Sequence, residues 1–190
     1  MDFIGSQTEK NLLAAFAGES QARTRYTFFA SKAKKEGYEQ IAAIFEETSE
    51  NEKEHAKLFF NHLKGGMAEI TASYPAGMVG STADNLKAAA AGEKLEWGSL
   101  YPNFGEVAEK EGFKDVAMTF RMVAKVEAYH ERRYNKLLES VQQGKVFKKD
   151  QPIKWKCRNC GFVLEGAQAP ESCPVCTHPK AFFEAWVENY

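Results

Sequence analysis

Six residues recur in two sets of three: Glu19, Glu52 and His55, then Glu93, Glu127 and His130. Within each set a Glu-x-x-His pair stands at i and i+3, so on a helix both side chains project the same way. Each also falls on the apolar stripe of its helical pattern, where an unpaired ionised carboxylate would cost several kcal/mol. Six such groups meeting in a helical core require neutralisation, and two multivalent cations bridged by glutamates would supply it. Carboxylate and imidazole donors together suit iron or manganese better than structural zinc. A seventh acid, Glu96, lies three residues after Glu93 and one helical turn further along the same face. The other half has Ala22 at the corresponding place, so Glu96 breaks the symmetry. An extra carboxylate favours a ferric ion and a neutral imidazole a ferrous one, so this position would let one metal change partners with its charge.

A second donor set is C-terminal. Cys157-x-x-Cys160-Gly and Cys173-Pro-x-Cys176 contain all four cysteines of the chain, each pair forming a knuckle that can aim backbone N–H groups at its thiolates. Four thiolates in a tetrahedron select zinc or a single iron. With no export signal at the N-terminus, the clustering points to a metal rather than disulfides and to a cytoplasmic setting.

The elements that must position these residues are four long helical patterns. The first runs over about 6–36 and ends at Gly37. The second carries Ile41, Phe45, Thr48, Glu52, His55 and Phe59 and stops at Gly65-Gly66. After a turn-rich crossover with Pro75, Gly77 and Gly80, the third runs from Ser81, paired with Asp84 as a cap, to about Glu111, with a kink expected at Pro102. The fourth carries Val116, Phe120, Val123, Glu127, His130, Tyr134 and Leu137 and ends at Gly144. Two tight turns flanking one long crossover imply two helical hairpins packed as a four-helix bundle. The hairpins are copies: KEGYEQIAAIF at 35–45 matches KEGFKDVAMTF at 110–120 at an offset of 75, whereas AGE at 17–19 recurs at 91–93 at an offset of 74. Residues 1–146 therefore read as the bundle, 147–154 as a basic, proline-containing linker, and 155–190 as a small metal-binding domain.

Lys+Arg 25 against Asp+Glu 26 leaves a formal charge of −1, which favours neither nucleic acid nor an anionic membrane as partner. No apolar run approaches the ~20 residues of a membrane span. Glu46, Glu47, Glu50, Glu54 and Glu131 read as solvated acids, and His62 and His178, which lack the repeat's spacing, as non-ligands.

The motifs AFAGESQAR, EKEHAK, AAGEKLE, EAYH, CRNCG and CPVC together resemble the rubrerythrin family over essentially the whole chain. The donor set is that of ferritin-like di-iron carboxylate bundles. The resemblance implies a mainly α protein: a ferritin-like four-helix bundle holding two non-haem irons through Glu19, Glu52, His55, Glu93, Glu96, Glu127 and His130, then a rubredoxin-like domain holding one iron on Cys157, Cys160, Cys173 and Cys176. It implies a peroxidase that reduces hydrogen peroxide to water, with NADH as the ultimate donor through rubredoxin or a reductase. It further implies exchange of Glu96 for His55 on reduction, hydrogen bonds from Tyr26 and Tyr101 to the cluster, and a head-to-tail homodimer. A ferroxidase using O2 is the alternative use of the same bundle.

Overall fold

The computed structural model describes residues 2–189. Helix α1, Gln7–Lys35, starts where the Ser6 side chain accepts the Glu9 N–H and stops at Gly37, whose φ of 80° closes the turn. Helix α2, Glu39–Asn61, returns antiparallel to it and ends a few residues before Gly65-Gly66. A strap without regular structure leads to α3, Thr82–Leu95, which opens with the expected capping box between Ser81 and Asp84. Helix α4, Tyr101–Glu111, and α5, Lys114–Gln142, complete the second hairpin around Gly112, at φ 89°.

Between α3 and α4 the helix is irregular just ahead of Pro102. It passes through a π turn over Glu96–Leu100, where the Tyr101 N–H reaches back five residues to the Glu96 carbonyl. A π turn is an α-helix with one residue inserted, and the repeat's slip from offset 74 to offset 75 is that residue. Gly98 and Ser99 resist the α conformation weakly, and Pro102 has no N–H with which to continue the regular ladder. The insertion preserves the phase of the helix beyond it. Tyr26 lies seven residues after Glu19 and Tyr101 eight after Glu93, yet both face the core.

Two apolar cores lie along the bundle. Tyr26, Phe29, Phe45 and Tyr134 fill one, and Leu12, Phe59, Tyr101 and Phe120 the other. The repeated glutamates and histidines occupy the layer between them. The repeat also ties its ends together. Glu111, at the end of α4, accepts the backbone N–H groups of Gln7 and Thr8 at 3.1 and 2.8 Å, and Glu36, at the end of α1, accepts that of Thr82 at 2.8 Å. Each KEG glutamate thus caps the first turn of the other hairpin.

The C-terminal sheet has the order β2-β1-β3, with β1 at Lys148–Cys157, β2 at Val163–Gln168 and β3 at Phe183–Ala185, all antiparallel around Trp155, Phe183 and the cysteines. Most of 147–154, read from sequence as a linker, is strand. Lys148 pairs with Gln168, and the ladder breaks register before Ile153, where Pro152 removes a donor. Phe147 stacks on Tyr38, with ring centroids 6.0 Å apart, and seats this sheet against the α1–α2 turn.

Candidate metal centres

Helices α2 and α5 bring Glu52 and Glu127 face to face, each sharing its two oxygens between the two histidines. Glu52 places Oε2 2.9 Å from His55 Nδ1 and Oε1 3.2 Å from His130 Nδ1. Glu127 places Oε1 and Oε2 2.8 Å from the same two nitrogens. Glu19 and Glu93 close the ends, and each accepts the hydroxyl of the tyrosine from the opposite half: Tyr101 donates to Glu19, Tyr26 to Glu93. Two donor groups result. Glu19, Glu52, His55 and Glu127 form one, Glu52, Glu93, Glu127 and His130 the other, with the ligand atoms of each within 4.8 Å of one another. The shared pair, Glu52 and Glu127, is what a bridged two-metal site requires.

The orientation of these atoms tests the fit. His55 Nδ1, His130 Nδ1, both oxygens of Glu52 and of Glu127, and one oxygen each of Glu19 and Glu93 are buried and make no hydrogen bond. The imidazole nitrogens stand 2.8–3.2 Å from the oxygens of Glu52 and Glu127 without making a hydrogen bond to any of them. Donors converging on a common point rather than pairing suit a cation. Without a cation, protons carry the compensation. Burial alone would lower the imidazolium of His55, but Glu127 and Glu52 outweigh it and push it up to about 9. Against the same burial, Glu127, Glu52 and Glu93 push His130 up to about 12. Burial and Glu52 push Glu93 up to about 8, and burial with the charges of Glu96, Glu127 and Glu52 raises Glu19 well above the carboxylate range.

Glu96 belongs to neither four-donor group. It begins the π turn and lines a cavity on the α1 side together with Gln21 and Arg25. Burial raises its carboxyl, the charges of Glu93, Glu127 and Glu52 add to that, and Arg25 opposes it. Sequence reasoning missed two features here. Trp97 Nε1–H donates to Glu131 at 2.7 Å and anchors the π turn to α5, so Glu131 is not merely a solvated acid. Arg25 and Gln21 face the cavity, and their only sequence signal is the i, i+4 spacing on the face that leads to Tyr26. His62 pairs with Thr119 at 2.9 Å, away from the cluster, as expected of a non-ligand.

In the C-terminal domain Cys157 Sγ lies 3.7 Å from Cys176 Sγ, and Cys160 Sγ 3.6 Å from Cys173 Sγ. Disulfide sulfurs would be ~2.05 Å apart, whereas a tetrahedron of ~2.3 Å metal–sulfur bonds has edges of ~3.8 Å. The knuckles are themselves a repeat. The N–H of Cys157 donates to the Phe162 carbonyl and that of Cys173 to the His178 carbonyl, each at 2.8 Å. Gly161, at φ 81°, and Thr177, at φ 61°, hold equivalent positions. The His178 N–H leads the groups that hold the Cys176 thiol down to about 6. The His178 ring packs on Phe182 and takes no part in the cysteine group.

A helical bundle with a carboxylate-bridged two-metal site, followed by a four-cysteine ribbon, defines a ferritin-like di-iron protein with a rubredoxin-like domain. The rubrerythrin family profile matches residues 10–138, and the rubrerythrin rubredoxin-like domain matches 155–184. A rubrerythrin of Porphyromonas gingivalis is 65% identical over 186 residues, covering 98% of this chain and 93% of that protein. A rubrerythrin of Clostridium perfringens is 55% identical over 190 residues, covering 98% and 97%. The solved structure of nigerythrin described as fully reduced and all ferrous superposes with a TM-score of 0.64 at 33% identity, over 97% of this chain and 89% of that one. The chain belongs to the rubrerythrin family, whose members are iron-dependent oxidoreductases associated with protection against oxidative stress. Its carboxylate–histidine cluster suits a di-iron centre and its four cysteines a rubredoxin-type iron site. No helix among the described residues is long and apolar enough to cross a membrane.

Proposed function

We propose that this chain reduces hydrogen peroxide to water, with electrons passed from the four-cysteine site to the bundle centre, and so protects its cell from peroxide. The observation that carries this reading is the presence in one chain of a bridged two-metal donor set and a separate thiolate site. Bound iron would supply two one-electron equivalents side by side in the bundle and a one-electron relay at the cysteines.

In this reading Glu52 and Glu127, common to both donor groups, would hold both bundle metals, and Glu19 and Glu93 would each hold one, oriented by the hydroxyls of Tyr101 and Tyr26. Burial raises both phenols well above their ordinary value, so each keeps its proton on the hydroxyl oxygen and serves as a donor. His55 and Glu96 would be the pair that trades places with redox state, a reading supported by His55 falling within a four-donor group and Glu96 beside it. The two apolar cores exclude water from the layer between them.

The reducing equivalents come from NADH through a rubredoxin or a reductase, in the cytoplasm. Within one chain the relay is long. The C-terminal domain seats at Tyr38, and Glu52 lies 14 residues further along α2, about 21 Å at ~1.5 Å per residue. A head-to-tail homodimer would shorten it. Met118, Met122, Val126 and Tyr129 form an exposed apolar stripe on α5 on which the partner's domain could seat. An active strict monomer by sedimentation would refute the dimer.

The test of the reaction is anaerobic stopped flow on fully reduced, iron-loaded protein. Ferric-thiolate colour should return quickly with one equivalent of hydrogen peroxide and slowly with O2. Faster return with O2 would replace the peroxidase with a ferroxidase.

A further inference from the structure

The cavity beside Glu96 has properties that hydrogen peroxide does not require. Its volume is ≈ 200 Å³, larger than a cavity of ~150 Å³ that stays dry and admits benzene. Ala14, Ala15, Leu95, Leu100 and Phe104 are among the residues of its apolar wall. Its roof is the crossover strap, where Tyr74 packs over Gly18 and donates its hydroxyl to the Ala14 carbonyl at 2.8 Å. Its unpartnered polar atoms lie one turn apart on α1. Gln21 Oε1 and the Nε and Nη1 of Arg25 are buried there without a hydrogen-bond partner, next to Glu96, and Tyr26 and Tyr101 connect the cavity to Glu93 and Glu19. Hydrogen peroxide is polar throughout and far smaller than this space, so an apolar wall contributes nothing to its binding. An amphipathic molecule with a compact apolar body and one polar head matches both the apolar wall and these polar atoms.

We infer that this cavity is the binding site for a second substrate class, organic hydroperoxides with a compact tertiary alkyl or aryl group. The apolar body would lie among Ala15, Leu100 and Phe104, and the hydroperoxide group would lie at Gln21, Arg25 and Glu96. The reaction is ROOH + 2e⁻ + 2H⁺ → ROH + H2O. The O–O bond breaks, the carbon-bound oxygen leaves as alcohol and the other as water, and the two electrons come from the reduced metal centre. The Arg25 guanidinium, fixed and always charged, faces the oxygen on which negative charge develops. This inference rests on the proposed peroxidase reading.

The test uses reduced, iron-loaded, full-length protein, with hydrogen peroxide, tert-butyl hydroperoxide and cumene hydroperoxide in parallel. Each buried methylene is worth roughly fourfold in affinity, so both organic substrates should saturate at concentrations at least tenfold lower than hydrogen peroxide. Filling the cavity with Ala14→Phe should lower the organic-to-hydrogen-peroxide ratio of kcat/KM at least tenfold. A second readout needs no metal: 2-phenylpropan-2-ol, the product alcohol, should bind the metal-free protein in saturation-transfer NMR, and Ala14→Phe should abolish the signal. Reoxidation by hydrogen peroxide with no saturable organic reaction, or no alcohol binding, overturns the inference and leaves the peroxidase reading intact. Reoxidation by none of the three overturns both.

Discussion

Loading the bundle with divalent metal should expel protons in a number that can be worked out. In the metal-free protein at pH 7, His55 and His130 are imidazolium, raised to about 9 and about 12, Glu93, at about 8, is largely protonated, and burial shifts Glu19 in the same direction. Glu127 is already ionised, because the two imidazolium groups beside it, His130 and His55, outweigh its burial. All of these must be deprotonated to ligate. Two imidazolium protons and the Glu93 proton make three per pair of metals, and Glu19, shifted in the direction that adds a fourth, brings the count close to two per metal. By linkage, the apparent affinity per metal then rises about 100-fold per pH unit near neutrality. The sign follows from the direction of the shifts: raised values mean bound protons, so binding weakens as pH falls. Glu96, also raised by burial, adds a fifth proton only if it ligates in the state loaded. Anaerobic titration with Mn(II) in weak buffer, followed by an indicator dye, reads the count directly. Release of fewer than two protons per metal pair would refute the reasoning, because the histidines would then not be the charges that hold the empty cluster together.

Three further outcomes concern the frame around the site. Glu111→Gln removes the charge that accepts the N–H groups of Thr8 and Gln7 and should cost about 1 kcal/mol, seen as a Tm lowered by roughly 2–4 °C. Thr8 holds the Glu111 carboxyl below its ordinary value despite the burial that would raise it. The stabilisation is therefore present above the unfolded value of ~4.3 and is lost as pH falls through the folded one, so wild type and variant should converge in Tm on acidification below the ordinary carboxylate range. Thr177→Gly relieves a threonine at φ 61° and should stabilise the cysteine domain by up to ~1 kcal/mol, measured as slower loss of metal to a chelator. Tyr101→Phe leaves a further oxygen of Glu19 without a donor and should weaken one of the two bundle metals roughly tenfold relative to the other in the same manganese titration.

The bundle, its hairpin order and the six recurring donors were legible because the signals are periodic and duplicated. A Glu-x-x-His pair is commonplace on a charged helix, but the same pair 75 residues on, with AGE before each, is not. The π turn was present in the sequence as the slip from offset 74 to offset 75. The kink expected at Pro102 lay next to it, because the missing proline N–H interrupts the regular ladder just beyond the inserted residue. The strand at 148–154 was hidden by its polar composition. Its partner strand and the metal knuckles hold it in place, not its own propensity. Arg25, Gln21 and the Trp97–Glu131 anchor were invisible for another reason. Their roles depend on what the strap and the neighbouring helix bring opposite them, which no spacing along one helix records.

Two independent metal sites in one chain are the centre of this reading, and counting iron tests them directly. Iron-loaded wild type should hold three irons, two lost together in Glu127→Ala, which removes an acid common to both donor groups, and one lost with the visible thiolate colour in Cys173→Ser. Glu127→Ala should keep that colour. Loss of a single iron from Glu127→Ala, or of bundle iron from Cys173→Ser, would contradict a bridged pair standing apart from a four-cysteine site.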